Sequence, residues 1–194
     1  MLKKLLAFLI VTPLLLSFHR PNMHSTTSTS LLIGEDSVFN NYPTPTDKNM
    51  LFYIQKSFNT NAVVYTLNIN TEGNIDIKEP IHVFWRRYQE QGQKRDLKYV
   101  EKTFGFGVVK EEFLKGRPNT VEFEIVALKN KKLIASIAPN GKPIIISTIA
   151  GKPSYLEKVF ITAEHTKLLP EVFAIELFGK EIKSGKYTYE KIEK

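Results

Sequence analysis

One short stretch carries the densest chemistry of the chain: His82, Arg86, Arg87, Tyr88, Lys94, Arg95 and Tyr99. Paired guanidinium groups hold carboxylates or phosphates through directed hydrogen bonds. A nearby aromatic ring adds a stacking surface or a cation–π contact. The expectation is an anionic-ligand or polysaccharide-contact site at one end of a sheet. The competing structural reading pairs Arg86 or Arg87 with Glu101, Glu122 or Glu124 and leaves Lys94 and Arg95 to solvate a loop. Trp85, the only tryptophan, is expected in the core, because a single aromatic residue is weak support for carbohydrate recognition.

Other chemistries find less support. The chain has no cysteine, which excludes disulfides, thiolate catalysis and a lipoprotein anchor. His19 and His24 fall in or near the N-terminal leader. His82 and His165 are far apart in sequence, without zinc-like spacing, so no metal and no cofactor is expected. Ser147, Ser154 and Thr162 offer hydroxyls, but no nucleophile-elbow pattern surrounds them. Glu111 and Glu112 are adjacent, which sets no catalytic separation. Glu122 and Glu124 share a strand face, a better geometry for paired-acid hydrolysis, although a solvated face is the preferred reading of them. FGFG and PNGKP contain turn glycines and match no phosphate loop.

The elements that must position these groups begin with IHVFWRRY. Ile81, Val83 and Trp85 alternate with His82, Phe84 and Arg86, the period of a strand with two partly apolar faces. QEQGQKRD breaks that rhythm and reads as a basic, polar connection. Asp96 then suits the N-cap of a short helix in LKYVEKTFGFG, with Leu97, Val100 and Phe104 at helical spacing and Gly105 at its end. A continuing β-hairpin is the competing assignment, with Val108, Val109 and Phe113 extending into another strand. Elsewhere the alternation is clearer. AVVYTLNIN puts Val63, Tyr65, Leu67 and Ile69 on one face, and TVEFEIVAL does the same with Val121, Phe123, Ile125 and Ala127. Turn signals at NTEGN, KNKK, PNGKP and GKPS separate the runs, and Leu168 and Pro170 mark a bend. The pattern predicts a mainly β fold, an antiparallel sandwich or barrel of about eight or nine strands with one short helix.

The N-terminus has the order of a secretory signal: Lys3 and Lys4, then an apolar run from Leu5 to Phe18, too short to span a bilayer comfortably. Residues 1–25 are expected as a signal peptide, 26–46 as a flexible polar tether taking in most of HSTTSTS and of NNYPTPTDKN, and 47–194 as a single β domain. An uncleaved inner-membrane anchor is the alternative and the one expected route to a membrane. The formal net charge is +7. Without Lys3, Lys4 and Arg20 the balance is 24 basic against 20 acidic residues, or +4. That is an ordinary solubility charge, with no basic stripe of a nucleic-acid reader.

LFYIQKSFNTNAVVYTLN, IHVFWRRY and KYVEKTFGFGV resemble an uncharacterised family of bacterial domains found in exported, Bacteroidetes-type proteins. The resemblance spans about Met50 to the C-terminus. It implies export and a compact β domain, and it implies no activity and no site residues. The expected role is a noncatalytic periplasmic or secreted module that binds an anionic small molecule, a glycan or an envelope protein through an edge strand or the Arg86–Arg95 region. A lipocalin-like carrier of an apolar molecule and a small cell-envelope or glycan hydrolase remain alternatives, and whether the chain is an enzyme stays open.

Overall fold

Alternating apolar residues become strands because period two lets one face leave water while the backbone pairs sideways. The computed structural model describes residues 42–164 and 171–194. They form a mainly β structure, a curled mixed sheet of eleven strands with one short helix. The strands are β1 (Met50–Lys56), β2 (Asn59–Leu67), β3 (Ile81–Arg87), β4 (Gln93–Asp96), β5 (Val108–Phe113) and β6 (Thr120–Ile125). They continue with β7 (Leu133–Ile137), β8 (Pro143–Ile149), β9 (Lys152–Ala163), β10 (Val172–Glu181) and β11 (Tyr187–Glu193). Helix α1 (Tyr99–Glu101) runs directly into a π turn, Lys102–Phe106. The leader, the tether up to residue 41, His165, Leu168 and Pro170 lie outside the described residues.

Two antiparallel meanders, β1–β4 and β5–β8, meet on one long strand. The first part of β9 pairs with β8, and its second part pairs with β1 in parallel, with Tyr53 beside Lys158 and Lys56 beside Ile161. The opposite edge of β9 carries β10, which in turn carries β11. One core cluster draws on both meanders: Phe52, Tyr65 and Trp85 from the first, Phe123, Leu133 and Ile145 from the second. The curled sheet thus wraps around a filled interior. The Phe52 and Tyr65 rings stack at 4.4 Å, and each such buried side chain contributes about 2–3 kcal/mol. At one end Asn119 fastens the meanders together, accepting the Ile75 N–H at 2.9 Å and donating to Asn74 at 2.9 Å.

Three local features differ from the sequence expectation. QEQGQKRD is a tight hairpin, with Gln91 and Gly92 at positive φ, and β4 then pairs with β3. An edge strand needs no apolar alternation, and charged side chains suit it, so its pattern was masked. Asp96 therefore ends β4, and Lys98 is the helix N-cap, its N–H donating to Glu101 Oε2 at 2.7 Å. The expected apolar stripe also divides. Leu97 is buried, whereas Val100 and Phe104 are exposed and Phe106 packs on the core. The extra residue of the π turn rotates the chain and exchanges Phe104 for Phe106.

Residues 42–46, expected as the end of the tether, lie on the outer face of the sheet. Pro45 is buried, the Tyr42 ring meets Phe160 edge-on at 5.8 Å, and the Pro43 carbonyl accepts from Gln55 Nε2 at 2.8 Å. Gln55 is buried, and an amide out of water needs such a partner.

Candidate functional site

Strand periodicity divides the candidate residues between two faces. His82, Phe84 and Arg86 occupy the outer face of β3, opposite Asp96 and Lys94 of β4. Trp85 and Arg87 occupy the other face, with Arg95 directly across from Trp85. Arg86 and Arg87 therefore cannot grip one ligand as a pair. Arg86 is committed within the fold: its guanidinium forms a two-point ion pair with Asp47, with Nε to Oδ2 at 3.2 Å, and Nη1 donates to the Gly92 carbonyl at 2.8 Å. Arg87 pairs with Glu90. Tyr88 packs against a second small cluster, Tyr53, Ala62, Val64 and Phe84. Burial pushes the Tyr88 phenol up, against the opposing pull of Arg86. Trp85 is buried and meets Phe106 edge-on at 5.4 Å. Tyr99 stands on α1, exposed, and of the other candidates it shares a cleft with His82 alone. The partners foreseen for the arginines, Glu101, Glu122 and Glu124, are engaged elsewhere.

The outer face holds a hollow of about 420 Å³. His82 and Lys94 border it, with Phe84 at its base. Asp47, Lys48 and Asn49 enter from the segment before β1, Thr66 and Asn68 from β2 and its end, and Asp76 from the β2–β3 loop. The Lys94 ammonium sits 3.8 Å from the Phe84 ring centroid, a cation–π contact that fixes its position. His82 is bracketed by carboxylates, with Nδ1 3.1 Å from Glu79 and Nε2 3.7 Å from Asp96. Asp76 Oδ1 accepts the backbone N–H groups of Lys78 and Glu79. Among the described residues neither Lys48 nor Lys94 has a carboxylate partner. Asp47, Lys48, Asn49 and Asp76 escaped the sequence reading. They sit in turns, where no periodicity assigns a side chain to a face.

A second cleft, about 490 Å³, lies between β3, α1 with its π turn, and β5. Its walls are mostly apolar, including Ile81, Val83, Leu97 and Val108, and Tyr99, Glu79 and His82 border it. Burial, followed by the charge of Glu79, pushes the Glu111 carboxyl up. The π turn shapes one wall through the Gly107 N–H to Lys102 carbonyl bond at 3.0 Å. A Cβ on Gly107 would lie 2.3 Å from that carbonyl oxygen. The Tyr65 hydroxyl, deep in the core, donates to the Phe106 carbonyl at 2.7 Å and holds the turn in place.

The remaining candidate groups form ordinary structural contacts. Glu122 pairs with Lys132 at 2.7 Å. Glu124 accepts both Lys110, at 3.0 Å, and the Asn130 N–H, and the Lys110 bond holds its carboxyl below the usual range. The Ser147 and Ser154 hydroxyls are buried and donate to the carbonyls of Lys132 and Lys152. Among the described residues His82 is the single histidine, no group of three or more His, Cys, Asp or Glu side chains is placed to hold a metal ion, and no helix is long and apolar enough to cross a membrane.

In comparison with known protein families, a family model described as a domain of unknown function (DUF4833) covers residues 52–191. No curated protein and no solved structure matches.

Proposed function

This chain belongs to the DUF4833 family of domains of unknown function, and we propose that it acts there as a noncatalytic binding module outside the cytoplasm. The leader-like N-terminus supports delivery to the periplasm or beyond. The hollow on the outer face of β2–β4 is the binding site, and its ligand is an anionic or hydroxyl-rich molecule or an envelope component bearing such groups. One observation carries the reading: a space of about 420 Å³, within the range of roughly 300–1,000 Å³ for small-molecule sites, is bordered by two ammonium groups without a described counter-charge. Arg86 serves this site by positioning. Its ion pair holds Asp47, and with it Lys48 and Asn49, at the rim.

The test is a ligand screen by amide-shift NMR on the mature chain, using anionic metabolites and glycan fragments. The expected result is saturable shifts confined to residues around Asn49, Asn68, His82 and Lys94. Shifts that cluster elsewhere, or none across the panel, defeat the assignment. A carrier of apolar molecules in the lipocalin manner needs an open interior, which Phe52, Tyr65 and Phe123 instead fill.

A small envelope hydrolase is the second reading: burial and then the charge of Glu79 push the Glu111 carboxyl up, and Glu79 borders the second cleft. Two carboxyls whose charges act on each other are the kind of pair that paired-acid hydrolysis draws on. Turnover of a glycan panel that is lost in both Glu79→Gln and Glu111→Gln variants would establish it, and turnover unaffected by either removes it.

A further inference from the structure

We infer that the outer-face hollow receives a carboxylate-bearing sugar, a uronate-type residue, with Lys48 and Lys94 holding the carboxylate and the neighbouring amide, hydroxyl and acid groups holding the ring hydroxyls. This rests on the binding role proposed above and specifies its ligand.

The charges in the hollow are unequal in availability. Arg86 and Asp47 neutralise each other. Asp76 spends one carboxylate oxygen on two backbone N–H groups, which leaves the other to accept from a ligand hydroxyl. Lys48 and Lys94 remain as the available cations. A lysine ammonium is a compact point charge, suited to a singly charged carboxylate. Phosphate sites commonly add guanidinium forks or rows of backbone N–H groups to their lysines. Here the guanidinium is consumed, and the Asp76 carboxylate opposes a doubly charged group.

The aromatic base of the hollow narrows the class further. Phe84 is only 1% exposed, and the Lys94 ammonium occupies the space above its ring. The Phe84 ring leaves no open face for a sugar or a nucleobase to stack on, so an aromatic ligand gains no stacking from it. Recognition must come from charge and hydrogen bonds.

The uncharged groups then exclude a bare carboxylate. The Asn68 amide nitrogen donates to the Glu79 carbonyl at 2.8 Å, so its oxygen is left to accept. Thr66 reaches the His82 carbonyl at 3.4 Å, a long bond that yields to a better partner. Asn49 borders the same space. Acceptors and hydroxyls in this number match a polyol, and the two ammonium groups match one acid on that polyol. Both features occur together on a uronate.

The experiment titrates the mature chain with D-glucuronate, D-glucose, sodium acetate and a short oligogalacturonate, followed by amide-shift NMR. D-glucuronate is expected to shift residues around Asn49, Asn68 and Lys94 saturably, with glucose and acetate each weaker by about tenfold, the loss for a missing charged or polar set. Added salt is expected to weaken glucuronate and leave glucose unchanged. Lys94→Gln with Lys48→Gln abolishes the preference for glucuronate over glucose at unchanged thermal midpoint, and Lys94→Arg keeps it. The oligogalacturonate arm separates a free acid sugar from a chain: tighter binding assigns the glycan, equal binding the monosaccharide. Glucose binding as well as glucuronate overturns the inference and leaves the binding role standing. A silent glucuronate titration also overturns it, and the broader anion panel then decides the binding role: shifts at the hollow with another anion keep that role, and silence throughout removes both.

Discussion

The two glycines of FGFG look interchangeable in sequence, and the structure predicts opposite responses to the same substitution. A methyl on Gly105 meets nothing within 4 Å. A methyl on Gly107 would sit 2.3 Å from the Lys102 carbonyl oxygen and 3.0 Å from its carbon. Neither glycine needs a positive φ, so the difference is steric alone. Relieving the clash at Gly107 requires the turn to open by about 1 Å, which breaks its closing hydrogen bond. Overpacking of this kind costs about 1–3 kcal/mol, and the lost bond adds about 1 kcal/mol. The stiffer unfolded chain of the alanine variant returns about 0.4–1 kcal/mol. Gly107→Ala is thus expected to lose about 2 kcal/mol, and Gly105→Ala to gain up to about 1 kcal/mol. With a urea slope of about 2 kcal/mol per molar, the two unfolding midpoints should stand roughly 1.5 M apart. Trp85 supplies a local readout, because it packs on Phe106, the residue before Gly107. Its emission should change in native Gly107→Ala and stay constant in Gly105→Ala. Midpoints within about 0.3 M of each other, or an unchanged Trp85 spectrum in the Gly107 variant, would refute the π turn as the device that fixes this wall.

Two further outcomes test other contacts. The Arg86–Asp47 pair is largely out of water, with side-chain exposures of 26% and 10%; partial solvation reduces the usual 3–5 kcal/mol for breaking a buried pair to about 2 kcal/mol. Asp47→Asn and Arg86→Met are each expected to lower stability by that amount, with a coupling of about 1–2 kcal/mol in a double-mutant cycle, and additive losses would show that the segment before β1 is held by something else. The Tyr189 phenol donates to Glu176 at 2.7 Å and is pushed up to about 12, first by burial and then by that carboxylate. A raised folded value means its stabilising contribution is complete below the free phenol value of 10.0 and is lost as pH climbs through about 12. Labelled-tyrosine NMR should show Tyr189 as a late-titrating ring whose step moves down in Glu176→Gln, and an unmoved step contradicts the assigned cause.

The strands were readable wherever large apolar residues recur at every second position. Val63, Tyr65 and Leu67, or Val121, Phe123 and Ile125, reach the core as their alternation requires. Alternation also divides Arg86 from Arg87, which is visible in the sequence once β3 is accepted as a strand. Three things were not readable. β4 is an edge strand of charged residues, so it lacks an apolar signature. The parallel pairing of β1 with β9 joins segments far apart in the chain, and no local pattern encodes a partner. The rim of the hollow comes from turns, where a side chain's direction follows tertiary contacts such as the Asp47–Arg86 pair.

The shared strand β9 also sets an order of events. Each meander is built from neighbours in sequence, so its pairings close short loops and arise early. The parallel seam between β1 and β9 must wait until nearly the whole chain is present. A chain stopped before Lys152 would hold two meanders with bare apolar faces and open edges, the condition that favours wrong pairings. One segment, β9, thus splices the two meanders and then serves as the template on which the last two strands are laid.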